Sequence, residues 1–526
     1  MAPMIENGSD IRGNDLTGNK RITWNILSSW GGQMVFIVAG FVMPRMIDRH
    51  IGQTSLGIWD FSWSLVSYFG MAGLGVGSSV NRYVAKLRAA GDKDGLNEAM
   101  SSVVCVQVII ATAIGIMTVG LVSYLPHFFR EHPVAELNEA RWVVGLLGAT
   151  LAVQQAFDAF RGLMTGCHRW DMHNGINAIS YGITAFIMVV FLSLGHGLRS
   201  MAAAYLGVGI SAEIYRYIAV RRICPEAEIR IGHATWKQAM EMLSFGIKTI
   251  VTGLPGYIIM QGSSLLIAGH LGPAMLAVFS RPLNLARNAE MFIDKYALVL
   301  TPTAGSLQGA GLNREIRELM IRTTRYSVAL SLPAVLFLSI LGGPILQLWM
   351  GARYDSGWIM PILVVGFFLR MTQLSAMTIL VGLNAHGFIG ALNLVFAVAV
   401  FGTGIVVLQS LGWSLIGLAI LIAAARTIQG VTIILFSCRR LDIRLGEYLR
   451  KSFLGPMAAG VPLAIALAAV NSTLGSRPFV AVAAGCAVTG IILAPIYWKH
   501  FLPQELKSGI RRLPGADGII RVLEIY

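Results

Sequence analysis

The stretch AMSSVVCVQVIIATAIGIMTVGLVSYL, residues 99–125, runs for 27 residues without a charged side chain. About 20 mostly apolar residues are enough for an α-helix to cross the hydrocarbon core of a bilayer. Comparable stretches recur from Ile22 to Lys499, in a chain that is 55% hydrophobic and only 13% charged. Soluble domains contain about 25% charged residues. The composition therefore predicts one integrated, all-α polytopic membrane protein.

Fourteen segments are predicted to span the membrane. Their bounds are about 22–44, 55–84, 99–125, 141–164, 174–194, 200–221, 241–269, 274–303, 323–348, 357–383, 388–408, 412–438, 453–472 and 478–498. An even number of spans places both termini on one side. With the termini inside, the inner segments hold 25 Lys and Arg residues and the outer loops hold 7. Positive charge collects in cytoplasmic loops, so both termini are predicted to be cytoplasmic and the +14 net charge indicates lipid headgroups rather than nucleic acid.

The chain also resembles itself at an offset of 220 residues. HIGQTSLGIWDFSW at 50–63 aligns with HLGPAMLAVFSRPL at 270–283, and LRAAGDKDGLNEAM at 87–100 aligns with LQGAGLNREIRELM at 307–320. A weaker match at offset 216 pairs Gly166 with Gly382 and Asn177 with Asn393. Parallel repeats are one known plan of secondary transporters.

The repeat predicts two pseudo-symmetric six-helix lobes followed by two C-terminal helices. The predicted divisions are a cytoplasmic tail at 1–21, the N-lobe at 22–222, a cytoplasmic linker at 223–240, the C-lobe at 241–438, two further spans at 439–498 and a basic cytoplasmic tail at 499–526.

Charged side chains inside spans identify candidate site residues, because a charge at the bilayer centre costs about 2.5–3.5 kcal/mol on insertion scales. Span eight is the richest, since Arg287, Glu290 and Asp294 form one stripe at helical spacing beside Arg281 and Lys295. This stripe either lines a cavity or forms a structural polar seam. Pro282 is predicted to open the upper part of the same helix.

Cations outnumber acids among these charges. Arg370 and Arg426 lie near mid-span without a local acid, and Lys248 lies lower in span seven. Guanidinium groups bind phosphate oxygens through a planar fork. The predicted substrate-binding residues are therefore Arg287, Arg281, Lys295, Arg370, Arg426 and Lys248.

The acids supply candidates for ion coupling or for structural charge pairing. These candidates are Asp60, Asp294, Glu290 and Asp158, together with Arg161, which lies three residues after Asp158. Arg216 has Glu213 at the same spacing. Residues three apart on a helix share a face, so both pairs are predicted to neutralise themselves locally or to line a cavity.

No catalytic residue, metal ligand set or cofactor site is predicted. The five cysteines are scattered singly, without the spacing of a metal site. No DxD, HExxH or Gly-rich phosphate loop is present. A membrane-embedded glycan polymerase or transferase is therefore a weak alternative, and the chain is predicted not to be an enzyme.

Four motifs carry a resemblance to a known family. IGQTSLGIW at 51–59 resembles the LG-type corner of polysaccharide flippases, with Ile51 in place of the usual Leu and Trp59 in place of the common Tyr or Phe. The Gly-rich GMAGLGVGSSVNRYVAK, the AAGD element and GLMTGCHRWDMHNGINAIS also resemble segments of that family. The whole chain is similar to the multidrug/oligosaccharidyl-lipid/polysaccharide (MOP) exporter superfamily, and within it to the polysaccharide transport branch of Wzx-type flippases.

The resemblance implies a function and a location. A flippase of this branch would move an undecaprenyl-diphosphate-linked oligosaccharide from the cytoplasmic to the periplasmic leaflet of a bacterial inner membrane. It would use a V-shaped cavity between two lobes, with coupling to H⁺, Na⁺ or the membrane potential. Polymerase and chain-length proteins of the same pathway are candidate partners. The alternatives are a peptidoglycan-precursor flippase and a multidrug exporter, of which the latter would need an acid-rich cavity.

Overall fold

The computed structural model describes residues 19–71, 74–128, 133–167, 169–297, 300–501 and 507, and every regular element in these ranges is helical. The chain divides into two compact units, Met1–Ile250 and Val251–Tyr526. We call them the N-terminal unit and the C-terminal unit.

Among the described residues, eight helices lie wholly within the N-terminal unit. They are α1 (Asn19–Ile51), α2 (Gln53–Gly70), α3 (Leu74–Ala89), α4 (Lys93–Phe128), α5 (Val134–Ala156), α6 (Asp158–Gly166), α7 (Trp170–Ser193) and α8 (Leu198–Ile223). A 3₁₀ turn at Ile231–His233 precedes α9 (Trp236–His270), which begins in this unit and ends in the next.

The C-terminal unit continues with α10 to α19. They are α10 (Pro273–Ala297), α11 (Leu300–Gly309), α12 (Asn313–Met350), α13 (Ile359–Thr372), α14 (Leu374–Gly382), α15 (His386–Leu411), α16 (Leu415–Arg440), α17 (Leu445–Leu449), α18 (Gly455–Leu474) and α19 (Pro478–His500). A 3₁₀ turn lies at Ala352–Tyr354, and a π-helical turn at Arg450–Leu454 joins α17 to α18. The last two helices pack against α12.

Within the described residues, eight helical segments are long and apolar enough to cross a membrane, or up to nine if α5 and α6, bent by 43°, count as one span. The chain is thus an all-helical, polytopic membrane protein, as the sequence predicted. Helix occupies most of each of the fourteen predicted segments. The described exceptions are Phe157 and Gln373 inside two of them and a few residues at segment ends, such as 412–414, while residues 72–73 and 298–299 lie outside the described part. Helix α10 is not among these eight or nine segments, because it carries five charged side chains, Arg281, Arg287, Glu290, Asp294 and Lys295.

The predicted opening of α10 at Pro282 is not observed. The helix continues from Pro273 to Ala297 through the proline. Pro282 and Leu283 are buried, and α10 packs against α12 and α13. Neighbouring helices allow membrane helices to accommodate proline, so packing holds α10 together at this point.

The offset of 220 residues is visible in the backbone of both units. Gly52 and Gly272 have φ of 91° and 90° immediately before α2 and α10. Gly91 and Gly311 have φ of 69° and 72° in the turns before α4 and α12. Glycine reaches positive φ without the penalty that a Cβ would impose. The repeated glycines therefore mark repeated turns.

The offset of 216 residues is also structural. Phe157 separates α5 from α6, and Gln373 separates α13 from α14 at the equivalent place. Gly166 and Gly382 then end α6 and α14. A Cβ on Gly166 would lie 2.7 Å from the Val84 Cβ, and one on Gly382 would lie 2.5 Å from a backbone oxygen of α11. Each glycine permits the same close helix contact, α3 with α6 and α11 with α14.

Candidate functional site

A buried charge network occupies the N-terminal unit. Asp158 and Arg161 lie on α6 with an oxygen–nitrogen distance of 3.9 Å, and Glu213 and Arg216 lie on α8 at 3.0 Å. These are the two local pairs that the helical spacing predicts. The structure also joins them, because Arg161 Nη2 donates a hydrogen bond to Glu213 Oε1. Two carboxylates and two guanidinium groups thus form one network with balanced formal charge.

Arg216 is the most completely bonded member. Its side chain is 1% exposed and its Nε donates to Glu213. Nη2 donates to Asn177 Oδ1 at 2.8 Å, and Nη1 lies 3.1 Å from His173 Nδ1 on the same helix, α7. Because Arg216 is a donor only, His173 Nδ1 must be unprotonated to accept this bond. All three guanidinium nitrogens therefore have partners.

Gln107 connects the network to the break between α5 and α6. This α4 side chain is fully buried. Its Oε1 accepts a hydrogen bond from the Ala159 backbone N–H, and its Nε2 donates to Asp158 Oδ2 at 3.3 Å. The first backbone N–H groups of a helix have no partner within that helix. Gln107 satisfies one of them and fixes Asp158 at the start of α6.

A cavity of about 220 Å³ lies beside the network within the N-terminal unit. Helices α1, α5, α6, α7 and α8 contribute its walls. The lining includes the three charged residues Arg161, Glu213 and Arg216, and also aromatic, amide and hydroxyl side chains. The sequence singled out both Asp158 and Arg161 as site candidates, and of these two Arg161 lines the cavity whereas Asp158 does not.

A second cluster lies in the C-terminal unit and has a different charge. Arg426 on α16 is within electrostatic range of Glu290 and Arg287 on α10 and of Arg370 on α13. The structure therefore brings together four of the predicted site residues. Among the described residues, the groups in this range are the three guanidinium groups and the Glu290 carboxylate, so the formal charge of this cluster is positive.

Arg426 is held without an ion pair among the described residues. Its side chain is 7% exposed, lies 4.9 Å from the centre of the Phe367 ring and donates to Gln429 Oε1 at 3.3 Å. Its Nε and the Nη1 of Arg370 are buried and have no hydrogen-bond partner in the described part of the chain. An unpaired donor in a low dielectric is costly. Both groups therefore remain available to an anionic acceptor.

The remaining predicted residues lie on α2, α9 and α10. Arg281 is fully buried, 6.0 Å from the Trp349 ring. Asp60 on α2 and Asp294 on α10 are half-buried. Lys248 and Lys295 lie in α9 and α10, and their side chains are outside the described residues.

The sequence did not identify Gln107, His173 and Asn177 as members of the site. A signal for two of them exists, because His173 and Asn177 are four residues apart on α7 and therefore share a helical face. Gln107 carries no such signal in its own neighbourhood. Its role depends on a break in a different helix.

An ion pair outside the apolar helices fastens the segment that follows α8. Arg88 Nε donates to Glu226 Oε1 at 2.9 Å. Burial alone would raise the pKa of Glu226, but hydrogen bonds from its own backbone N–H and from Arg88 hold that pKa below its ordinary value. The carboxylate is therefore stabilised in its charged form.

Known proteins resemble this chain in sequence and in fold. A family model described as "Polysaccharide biosynthesis protein" matches residues 90–357, just over half of the 526 residues. A Shigella flexneri protein named "Putative O-antigen transporter" is 20% identical over 346 residues, which cover 64% of this chain and 80% of that protein.

Two solved structures show the fold. A lipid II flippase, MurJ, in an inward closed conformation has a TM-score of 0.68 at 11% identity and covers 90% of this chain and 99% of its own. An inward-facing multidrug resistance MATE family transporter of the MOP superfamily has a TM-score of 0.65 at 14% identity, with coverages of 78% and 95%.

Proposed function

Since the chain belongs to the polysaccharide biosynthesis family of MOP-superfamily membrane transporters, we propose that it moves a polyprenyl-diphosphate-linked oligosaccharide from the cytoplasmic to the periplasmic leaflet. The family makes the chain a transporter and not an enzyme, as the sequence predicted. The cargo would be the undecaprenyl-linked precursor of a cell-surface polysaccharide. The name of the Shigella flexneri relative supports this cargo.

The positive cluster of the C-terminal unit is the observation that carries the proposal. Arg287, Arg370 and Arg426 outnumber Glu290 by three to one, and two of the guanidinium groups hold buried donors without partners in the described residues. A diphosphate presents several charged acceptor oxygens, and guanidinium groups bind such oxygens in a planar, bidentate way. This cluster is therefore the proposed site for the diphosphate of the lipid carrier.

The same cluster weighs differently on the two alternatives. A multidrug exporter that takes cations would need an excess of acids, and this cluster has the reverse. A peptidoglycan precursor carries the same diphosphate, so the arginines favour both lipid-linked cargoes equally. Only the glycan separates these two cargoes.

The proposal includes a topology and a coupling mechanism. We place fourteen spans in a bacterial inner membrane, as two six-helix lobes followed by two helices, with both termini cytoplasmic. Alternating access would be driven by an H⁺ or Na⁺ gradient or by the membrane potential. The candidate coupling acids remain Asp60, Asp294, Glu290 and Asp158, the last with its partner Arg161.

A deletion strain tests the function directly. Without the protein, finished lipid-linked repeat units should accumulate in the cytoplasmic leaflet, where a membrane-impermeant glycan-labelling reagent added to spheroplasts cannot reach them. A truncated glycan on the lipid would indicate an enzyme instead. Accumulation of peptidoglycan precursor, with normal surface polysaccharide, would assign the chain to that cargo.

A matched pair of variants then tests the cluster. Arg287→Ala should reduce export at least tenfold in the complemented deletion strain while the membrane abundance of the protein is unchanged. Arg314→Ala is the control, because Arg314 is an exposed arginine outside the cluster, paired with Glu318 at 3.1 Å. Equal export by both variants would remove the cluster from the mechanism.

A further inference from the structure

The cavity of the N-terminal unit differs in chemistry from the positive cluster of the C-terminal unit. At about 220 Å³, it is smaller than the roughly 300–1,000 Å³ of pockets that enclose drug-sized ligands. It can hold one sugar ring but not a whole oligosaccharide repeat unit. A role for the cavity in binding part of the cargo rests on the proposed function, because that function makes the cargo a glycan.

Aromatic rings form part of the cavity wall. Phe36 on α1 and Tyr181 on α7 are stacked, with ring centres 4.1 Å apart and an angle of 29° between the rings. Tyr205 on α8 also lines the cavity, and its ring is held edge-on by Trp63 at 5.0 Å. Rings fixed in this way present rigid apolar faces, and the two tyrosines add a polar hydroxyl at one end. Such faces suit the C–H face of a pyranose.

Polar side chains provide the remaining wall. Gln154 contributes an amide and Ser180 a hydroxyl, and both line the cavity together with the Tyr181 and Tyr205 phenols. Ser180 Oγ donates a hydrogen bond to the Asn177 backbone oxygen at 3.1 Å, and its lone pairs remain available as acceptors. Donors and acceptors are therefore mixed, as the hydroxyl groups of a sugar require.

The charges beside the cavity balance one another, although the buried Nε of Arg161 has no hydrogen-bond partner among the described residues. Both Glu213 oxygens accept hydrogen bonds from arginines, and all three nitrogens of Arg216 have partners. With Asp158, the network has two positive and two negative groups. An added anion would have to share Arg161 with Asp158 and Glu213 and would leave the network with an excess of negative charge. The cavity therefore favours an uncharged polar ligand over a phosphate or a carboxylate.

We propose that this cavity binds a single uncharged pyranose ring of the transported glycan. The stacked Phe36–Tyr181 pair and Tyr205 contact the faces and edges of the ring, and Gln154 and Ser180 bond to its hydroxyls. The N-terminal unit thus binds sugar, while the positive cluster of the C-terminal unit takes the diphosphate. Few contacts are made by one ring, so binding of the isolated sugar is weak, in the millimolar range.

Saturation-transfer-difference NMR on the full-length protein in nanodiscs tests the assignment. The probes are the methyl glycosides of glucose, galactose and N-acetylglucosamine, compared with methyl glucuronide and tetraphenylphosphonium. At least one uncharged glycoside should give a signal with the wild type. Ser180→Phe, which fills the cavity, should reduce that signal at least fivefold.

Ser193→Phe is the matched control. Ser193 lies on the same helix, is exposed and, like Ser180, donates to a carbonyl of the preceding turn. This variant should retain the signal. If Ser180→Phe does not fold, Tyr181→Ala should lose the signal and Tyr181→Phe, which keeps the ring, should retain it.

Two results would overturn the proposal. One is the absence of any uncharged-glycoside signal that depends on these cavity residues. The other is a cavity-dependent signal from glucuronide or tetraphenylphosphonium alone. Neither result touches the proposed function, which is decided by the leaflet in which lipid-linked glycan accumulates. Conversely, glycoside binding without such accumulation would keep the site and refute the flippase.

Discussion

Replacing a buried arginine by methionine should have opposite effects on stability in the two units. Arg216 and Arg426 are 1% and 7% exposed and lie on α8 and α16. Arg216 has partners for all three nitrogens, including the carboxylate of Glu213. Among the described residues, Arg426 has one hydrogen bond, to Gln429, and a contact with the Phe367 ring. Glu290 attracts it, and Arg370 and Arg287 repel it.

The magnitudes depend on these surroundings. Removing one partner of a buried ion pair costs about 3–5 kcal/mol, whereas replacing a complete buried ion pair by apolar groups of similar volume is often neutral or stabilising by about 1–4 kcal/mol. Arg426→Met is closer to the second case, because Arg426 is held by an amide and a ring and its loss breaks no ion pair within the described residues. Glu213 keeps Arg161 as a partner, so Arg216→Met should cost about 3 kcal/mol, near the lower end. Arg426→Met loses a cation–π contact of about 0.5–2 kcal/mol, and its net effect should be about 0–2 kcal/mol of stabilisation.

Thermal unfolding of the two purified variants, followed by fluorescence-detected size exclusion, gives the comparison. Arg426→Met should unfold at or above the wild-type midpoint and still fail to export lipid-linked glycan, because stability and function are opposed at such sites. Arg216→Met should unfold well below the wild type. If both variants lose stability to the same extent, the different pairing of Arg216 and Arg426 does not affect the free energy of unfolding, and the reasoning is wrong.

Two further predictions concern helix packing and pH. Gly382→Ala should lower the unfolding midpoint, because its Cβ would lie 2.5 Å from a backbone oxygen and overpacking costs about 1–3 kcal/mol. Gly402→Ala is the control and should leave the midpoint unchanged, because no atom lies within 4 Å of its Cβ. Equal midpoints for the two variants would exclude a tight contact at α14. The ion pair of Glu226 with Arg88 should stabilise the protein at neutral pH and lose that contribution as the pH falls below the ordinary glutamate range, because the pKa of Glu226 is lowered in the folded state. Glu226→Gln should therefore flatten this part of the plot of unfolding midpoint against pH. A plot unchanged by Glu226→Gln would contradict this prediction.

The sequence predicts local pairs and repeated turns well. Asp158 with Arg161 and Glu213 with Arg216 follow from helical spacing alone, because neighbours three residues apart share a face. The repeated glycines follow from a backbone conformation that only glycine adopts cheaply. Each of these features is determined within a few residues of chain, so a single sequence carries enough information.

Features that depend on two helices were not accessible in the same way. The bond between Arg161 and Glu213 joins α6 to α8, and no local spacing encodes it. The sequence predicted a break at Pro282, because proline is the usual signal for one, but the break occurs at Phe157, which carries no such signal. At the Phe157 break, Gln107 from α4 accepts a hydrogen bond from the freed Ala159 N–H. At Pro282, packing against neighbouring helices keeps α10 continuous.

The membership of the positive cluster was predictable, but its assembly was not. Arg287, Arg370 and Arg426 were singled out because charges are costly inside a membrane. Their proximity depends on the packing of α10 with α13 and of α13 with α16. Periodicity gives the face on which a residue lies, and it does not give the helix that the face meets.

The correspondence between the repeated backbones has a consequence for how such a protein can change. Arg370 lies 216 residues after Gln154, and Arg426 lies 217 residues after Gly209, which is also the spacing between the starts of α8 and α16. Gln154 and Gly209 both line the cavity of the N-terminal unit. Equivalent places in a duplicated frame thus hold an open chamber in one copy and two guanidinium groups in the other. Under the proposed assignments, mutations in the cavity of the N-terminal unit can change which sugar is recognised. The positive cluster of the C-terminal unit, which binds the diphosphate of the lipid carrier, need not change with them.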